Sequence, residues 1–152
     1  MVGVPRVQRS SLPDGYFHVS ARGVPANEHI FRDDADRDRF VDLLWRTARK
    51  HRWRCHAHCV LGSHYHLVLA ATRESLSTGL RRLNWSYAKH FNTRYATYGH
   101  VFAERFAARA IDDESYLYDA CAYVLLNPVR AGLCERVEDW RWSYSSFGLQ
   151  AS

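Results

Sequence analysis

The segment LGSHYHLVLA, residues 61–70, holds the first residues in the chain whose types and spacing could do chemistry. Side chains of a β-strand alternate between faces, so His64 and His66 point the same way, as two imidazoles sharing one metal ion must. Spacing alone leaves two readings open, metal ligands or polar residues at the mouth of a core strand, because the chain has nine histidines and His56 and His58 repeat the pattern. In CHAHC, residues 55–59, a regular strand would put Cys55 and Cys59 on one face and His56 and His58 on the other. These four are therefore expected to be core thiols and edge or surface histidines. A further constellation lies near the end of the chain. Tyr116, Tyr123 and Asn127 form one stripe of a helical pattern, and the four-residue step from Tyr123 to Asn127 sets a phenol and an amide on one face.

Cationic residues gather around these positions. Arg81, Arg82, Trp85 and Lys89 share the polar face of a helical pattern, an arrangement that is either a solvated face or a surface for a single nucleic-acid strand. Arg105 and Arg109 alternate with Phe106 and Ala108 and so share a strand face. They, and Arg22 at the end of the first strand, either contact phosphates or pair with acids such as Glu104 and Asp119. The whole chain leans the same way: 21 Lys and Arg against 16 Asp and Glu give a net charge of +5, nearly all of it from arginine. Arginine forks match phosphate oxygens and stack on bases, so with 14% aromatic residues the composition suggests a nucleic-acid partner.

Several classes are excluded or disfavoured. With 152 residues, 47% hydrophobic and 24% charged, the chain reads as one globular domain able to bury its own core, neither disordered nor fibrous. It divides into an N-terminal arm (1–14), a core (15–128) and a C-terminal extension (129–152). The longest apolar run is too short to span a bilayer, and the first residues lack a signal peptide's apolar centre, so a cytoplasmic location without membrane contact is expected. Cys55, Cys59, Cys121 and Cys134 fit reduced thiols in such a setting.

The elements that must position these residues follow from periodicity. GYFHVSARG (15–23) alternates Phe17, Val19 and Ala21 against Tyr16, His18, Ser20 and Arg22, a half-buried strand in which His18 is either near a site or solvated. Residues 33–51 form a helix capped by Asp33 or Asp34, with Phe40, Leu43, Leu44 and Thr47 inward. Strands at 53–61 and 64–70 flank a Gly62-Ser63 turn, which sets Cys59 opposite His66. A helix at 74–95, capped near Ser75, turns Leu76, Leu80, Leu83, Tyr87 and Phe91 inward; a strand at 104–111 follows, then a helix at 112–128 that Pro128 should stop. The first six elements give an α+β, ferredoxin-like split βαβ arrangement, a four-stranded antiparallel sheet with two helices on one face. A C-terminal helix is added, docked through Leu117, Ala120, Cys121, Val124 and Leu125.

FHVSARG, HCVLGSHYHLVL, GHVFAERFAARAI, YLYDACAYVLLNPVRAGL and DWRWSYSSF occur in that order between residues 15 and 147. In these motifs the chain resembles the REP-associated tyrosine transposases, members of the single-tyrosine HUH nuclease superfamily. The resemblance implies that His64 and His66 are the paired metal ligands, Tyr123 the nucleophile and Asn127 a third, polar ligand. Two departures stand out: Leu61-Gly62-Ser63 replaces a Met-Pro-Asn-like lead, and Tyr65 stands where a bulky aliphatic residue is commoner.

The implied activity is that of a metal-dependent endonuclease and strand transferase, a transposase that cuts single-stranded DNA at hairpins or palindromic repeats. Tyr123 would attack phosphorus to give a covalent 5′-phosphotyrosine and a free 3′-hydroxyl, conserving the bond energy for the reverse transfer. Two imidazoles and an amide suit Mg²⁺ or Mn²⁺, which would polarise the phosphate. A Cys59-His64-His66 set would instead favour structural zinc. The non-catalytic alternative is a module that binds single-stranded or hairpin DNA through the same arginines and aromatics. Monomer and homodimer both remain open.

Overall fold

The structure, a computed structural model, describes residues 14–27, 29–103 and 105–149. Nearly all of the N-terminal arm, and Glu104 as an acid partner for Arg105 and Arg109, lie outside the described residues.

Strand β1 (Gly15–Arg22) buries Phe17, Val19 and Ala21 on one face, as its alternation requires. It pairs antiparallel with β3 (His64–Ala71) on one side and β4 (Ala107–Ile111) on the other. Strand β2 (Arg54–Val60) forms the hairpin with β3, closed by a Leu61 N–H to His64 carbonyl bond of 3.0 Å, and Cys59 falls opposite His66. The order β4-β1-β3-β2 is the ferredoxin-like one, and a fifth strand, β5 (Ser143–Ser145), extends the sheet beyond β2. Among the described residues the sheet thus has five strands rather than the expected four. The extra strand comes from WRWSYSSF, whose indoles hold it down: Trp140 donates to the Val60 carbonyl at 3.0 Å and Trp142 to Asp38 at 2.9 Å.

Helices α1 (Asp34–Lys50) and α2 (Arg73–Tyr95) cover one sheet face. Asp33 caps α1 through the Asp36 N–H, while Thr72, one turn before the expected Ser75, caps α2 by accepting from the Ser75 N–H. Phe40, Leu44, Leu80, Leu83, Tyr87 and Phe91 fill the space beneath, and the two buried phenols there are satisfied. Tyr87 donates to the Ile30 carbonyl at 2.5 Å, and Tyr65 to Asn84 Oδ1 at 2.7 Å. The opposite face carries a smaller apolar cluster, in which Leu117, Cys121 and Val124 of α3 (Leu117–Arg130) meet Ala57, Cys59, Leu61 and Val68.

Three local expectations are corrected. A bulge between Cys55 and Ala57 breaks the alternation of β2, so Cys55 joins the α1/α2 core while Cys59 joins the α3 cluster. His56 and His58 are separated likewise, and His58 is a core residue, 4% exposed, not a surface one. Strand β4 starts at Ala107, which leaves Arg105 in the connection before it. Pro128 does not stop α3, which runs on to Arg130. A proline there withholds the N–H that would bond the Val124 carbonyl and crowds that carbonyl with its ring; the Asn127 side chain supplies a substitute donor, its Nδ2 reaching the Tyr123 and Val124 carbonyls at 3.1 and 3.5 Å. Asn127 therefore stays helical although it precedes proline.

Candidate active site

Strand β3 brings His64 and His66 to the face opposite the main core, with ring centroids 5.0 Å apart. Each has its Nδ1 occupied: His64 by Ser63 Oγ at 2.9 Å, His66 by His18 Nε2 at 3.1 Å. Neither Nε2 atom has a hydrogen-bond partner among the described residues, and a partner on the far nitrogen is what fixes a ligating imidazole's tautomer and direction. The rings are held neutral. Burial lowers both, with Arg22 adding to the effect at His64; at His66, where His64, His18 and Arg22 contribute after burial, the value falls to about 3. A neutral imidazole is the form that binds a metal.

Helix α3 crosses this face and lowers Tyr123 onto the histidines of its own chain. The Tyr123 ring meets His18 edge-on at 5.7 Å and His66 at 6.2 Å, and it is 46% exposed on its open side. The Arg130 guanidinium lies 4.7 Å from the centroid of that ring, two turns along the same helix face. Asn127, one turn beyond Tyr123, spends its amide N–H groups on the helix backbone, which leaves Oδ1 unengaged beside the cleft. Among the described residues no three His, Cys, Asp or Glu side chains are placed to hold a metal; beside His64 and His66 the same cleft offers the amide oxygen of Asn127.

The zinc alternative fits less well. Cys59 does sit opposite His66, but it is fully buried under α3 and takes a hydrogen bond from Ser143 Oγ at 3.6 Å.

Two adjoining clefts of about 500 and 530 Å³ open around these side chains. Arg22 and Arg105 line the first, together with His64, His66, Tyr123 and Asn127. Arg109 lines the second with His18, His66 and Tyr123, and its charge adds to burial in lowering His18. None of these three arginines is in an ion pair among the described residues, Asp119 included. Unpaired cations converging on a cleft are a site for an anion. Arg81, Trp85 and Lys89 lie further off, along a groove that shares Arg105 with the first cleft. Arg82 lines neither; its charge is felt instead at His51.

The profile of the family described as "Transposase IS200 like" matches residues 16–126. The chain belongs to this family. Its fold is that of a REP-associated tyrosine transposase solved bound to a REP hairpin, with a TM-score of 0.71 and 18% identity over 86% of this chain and 76% of that one. A candidate transposase from Deinococcus radiodurans R1 is a more distant likeness, with a TM-score of 0.52 and 14% identity over 78% and 89% of the two chains. No curated protein matches. No helix of this IS200-like transposase, among the described residues, is long and apolar enough to cross a membrane.

Three contributors were missed or left undecided in the sequence. Alternation alone allows His18 to face a site or solvent, and only the β1–β3 register, which places Ser20 opposite His66 and His18 opposite Val68, puts it within reach of His66. Ser63 read only as a turn residue. Arg130 lay past the proline expected to end the helix, although its seven-residue step from Tyr123 would have flagged it had the helix been continued.

Proposed function

We propose that this transposase cleaves and rejoins single-stranded DNA at hairpin or palindromic-repeat sequences, with Tyr123 as the nucleophile working in the same chain as its histidines. The observation that carries the reading is the convergence on one cleft of an exposed phenol, two imidazoles whose Nε2 atoms have no hydrogen-bond partner among the described residues, and arginines without an ion pair among those residues. Arg22, Arg105 and Arg109 would seat the backbone phosphates on either side of the scissile one, and Arg130 would steer the Tyr123 ring and offset charge gathering on the phosphate.

The Tyr123 oxygen then bonds to phosphorus as the bond from phosphorus to the 3′-oxygen breaks. The phenol proton leaves to solvent, the departing 3′-oxygen takes one up, and the products are a 5′-phosphotyrosine and a free 3′-hydroxyl. A 3′-hydroxyl attacking that linkage restores a phosphodiester and frees the tyrosine. Mg²⁺ or Mn²⁺, held by His64, His66 and Asn127 Oδ1, would supply polarisation of a non-bridging phosphate oxygen. His18 and Ser63 keep the two imidazoles aimed.

The test is a denaturing gel of labelled single-stranded hairpin DNA, drawn from repeats near the gene, incubated with Mn²⁺ and either wild type or Tyr123→Phe. A covalent species that requires both the metal and Tyr123 is expected. Tight hairpin binding in a native gel without any adduct would favour the binding-module reading instead.

A further inference from the structure

Beside the active-site cleft a groove of about 860 Å³ runs between α2 and residues 99–103, 105 and 106. We propose that this groove is a second DNA subsite that takes an unpaired nucleotide flanking the cut, its base stacked on Trp85; this rests on the DNA-cleaving reading above.

Trp85 is the odd one of five tryptophans. Trp53, Trp140 and Trp142 each donate their indole N–H to a carbonyl or carboxylate, and Trp45 is packed against His58 and Tyr144. Trp85 is 60% exposed, belongs to neither apolar cluster, and has no indole partner among the described residues. Its neighbours supply what a nucleotide needs. Arg81, Lys89 and Arg105 line the groove without an acidic residue among the described lining, and the Lys89 ammonium stands 5.4 Å from the Trp85 ring centroid. Phe102 and Phe106 give it an apolar flank. Asn84, which lines the groove, accepts the Tyr65 hydroxyl on Oδ1, and its Nδ2, without a partner among the described residues, can donate to a base edge.

Continuity with the cleft decides the occupant. Ala103 and Arg105 line both spaces, so one backbone could pass from the scissile phosphate over Arg105 into the groove. An open aromatic face serves an unstacked base, not a paired one, because duplex bases already spend their faces on each other. The strand in the groove is therefore unpaired.

The experiment compares DNA hairpins of one stem that end blunt or carry a short single-stranded extension on the 5′ or the 3′ side. Affinities are read by fluorescence anisotropy at fixed salt in a Tyr123→Phe background, so that nothing is cut. One extended hairpin should bind roughly tenfold tighter than the blunt one, the scale of a single base stacked on an aromatic side chain. Trp85→Ala should erase that advantage while leaving blunt-hairpin affinity unchanged, and Trp85→Phe should keep most of it. The inference is overturned if no extension helps, or if Trp85→Ala spares the advantage or weakens all three hairpins alike. Adduct formation by the Tyr123-intact protein is scored separately. An adduct without any extension effect removes the subsite alone, whereas an extension effect without an adduct removes the cleavage reading and leaves the groove.

Discussion

The β2–β3 hairpin carries the same His-x-His spacing twice, and the two copies end up in opposite circumstances. His64 and His66 lie on an unbroken strand, share a face, and have their Nδ1 atoms tied to Ser63 and His18. His56 is the unpaired residue of the bulge, and His58 follows it in the regular ladder. His56 turns toward the α3 side, where Tyr16 and Ser146 meet it, and His58 turns into the main core against Trp45 and Tyr144. Their buried nitrogens, Nε2 of His56 and Nδ1 of His58, find no partner among the described residues. One inserted residue in the register separates a pair that could bind from a pair that packs.

The sharpest way to break this comparison is to remove each histidine and ask whether chemistry or stability responds. His64→Ala or His66→Ala should slow adduct formation on the order of 10²- to 10³-fold, several kcal/mol of phosphate charge stabilisation, with little change in Tm. Gel kinetics beside a thermal melt would decide it, and a large Tm drop would return both residues to a structural role.

His58 should behave in reverse. Burial lowers its value to about 4 from an ordinary 6.5, so the folded protein keeps it neutral while the unfolded chain takes up the proton first. Its contribution is complete above the unfolded value and declines as pH falls through the folded one, a loss on the order of 3 kcal/mol. Urea titrations between pH 7 and pH 4 should therefore show a shallower acid loss for His58→Phe than for wild type. His58→Ala should also lose about 2–3 kcal/mol at neutral pH through the cavity it leaves, with the adduct rate per folded molecule unchanged.

Smaller effects refine the contrast. His18→Phe removes only the partner of His66 Nδ1, and calorimetric titration should find Mn²⁺ bound about 10- to 100-fold more weakly. His18→Gln, which retains a hydrogen-bonding side chain, should recover part of that loss. His56→Ala should change least, within about 1 kcal/mol of stability and without effect on Mn²⁺ affinity, because its ring packs at the rim rather than in the core.

Regular segments were legible because their side chains obey a fixed period. Phe17, Val19 and Ala21 bury as alternation requires, and Leu76, Leu80, Leu83, Tyr87 and Phe91 bury as a 3.6-residue repeat requires. The misreadings sit where one residue interrupts a period or a side chain replaces a backbone donor. The bulge at Cys55–Ala57 sent Cys55 and Cys59 to different faces, and the Asn127 amide let α3 pass Pro128. The short β5 carried too few residues to announce itself by alternation; its place is fixed by pairing with β2 and by two indole bonds.

The chain by itself determined the order of strands and helices, the ferredoxin-like core, and the shared face of His64 and His66, because each depends on local geometry and on which side chains avoid water. Only the tertiary structure decided that His18 stands behind His66, that Tyr123 comes down beside both under Arg130, and that Arg105 joins the cleft to the Trp85 groove. Those relations run between residues tens of positions apart. Strand register and helix docking set them, and no local period encodes either.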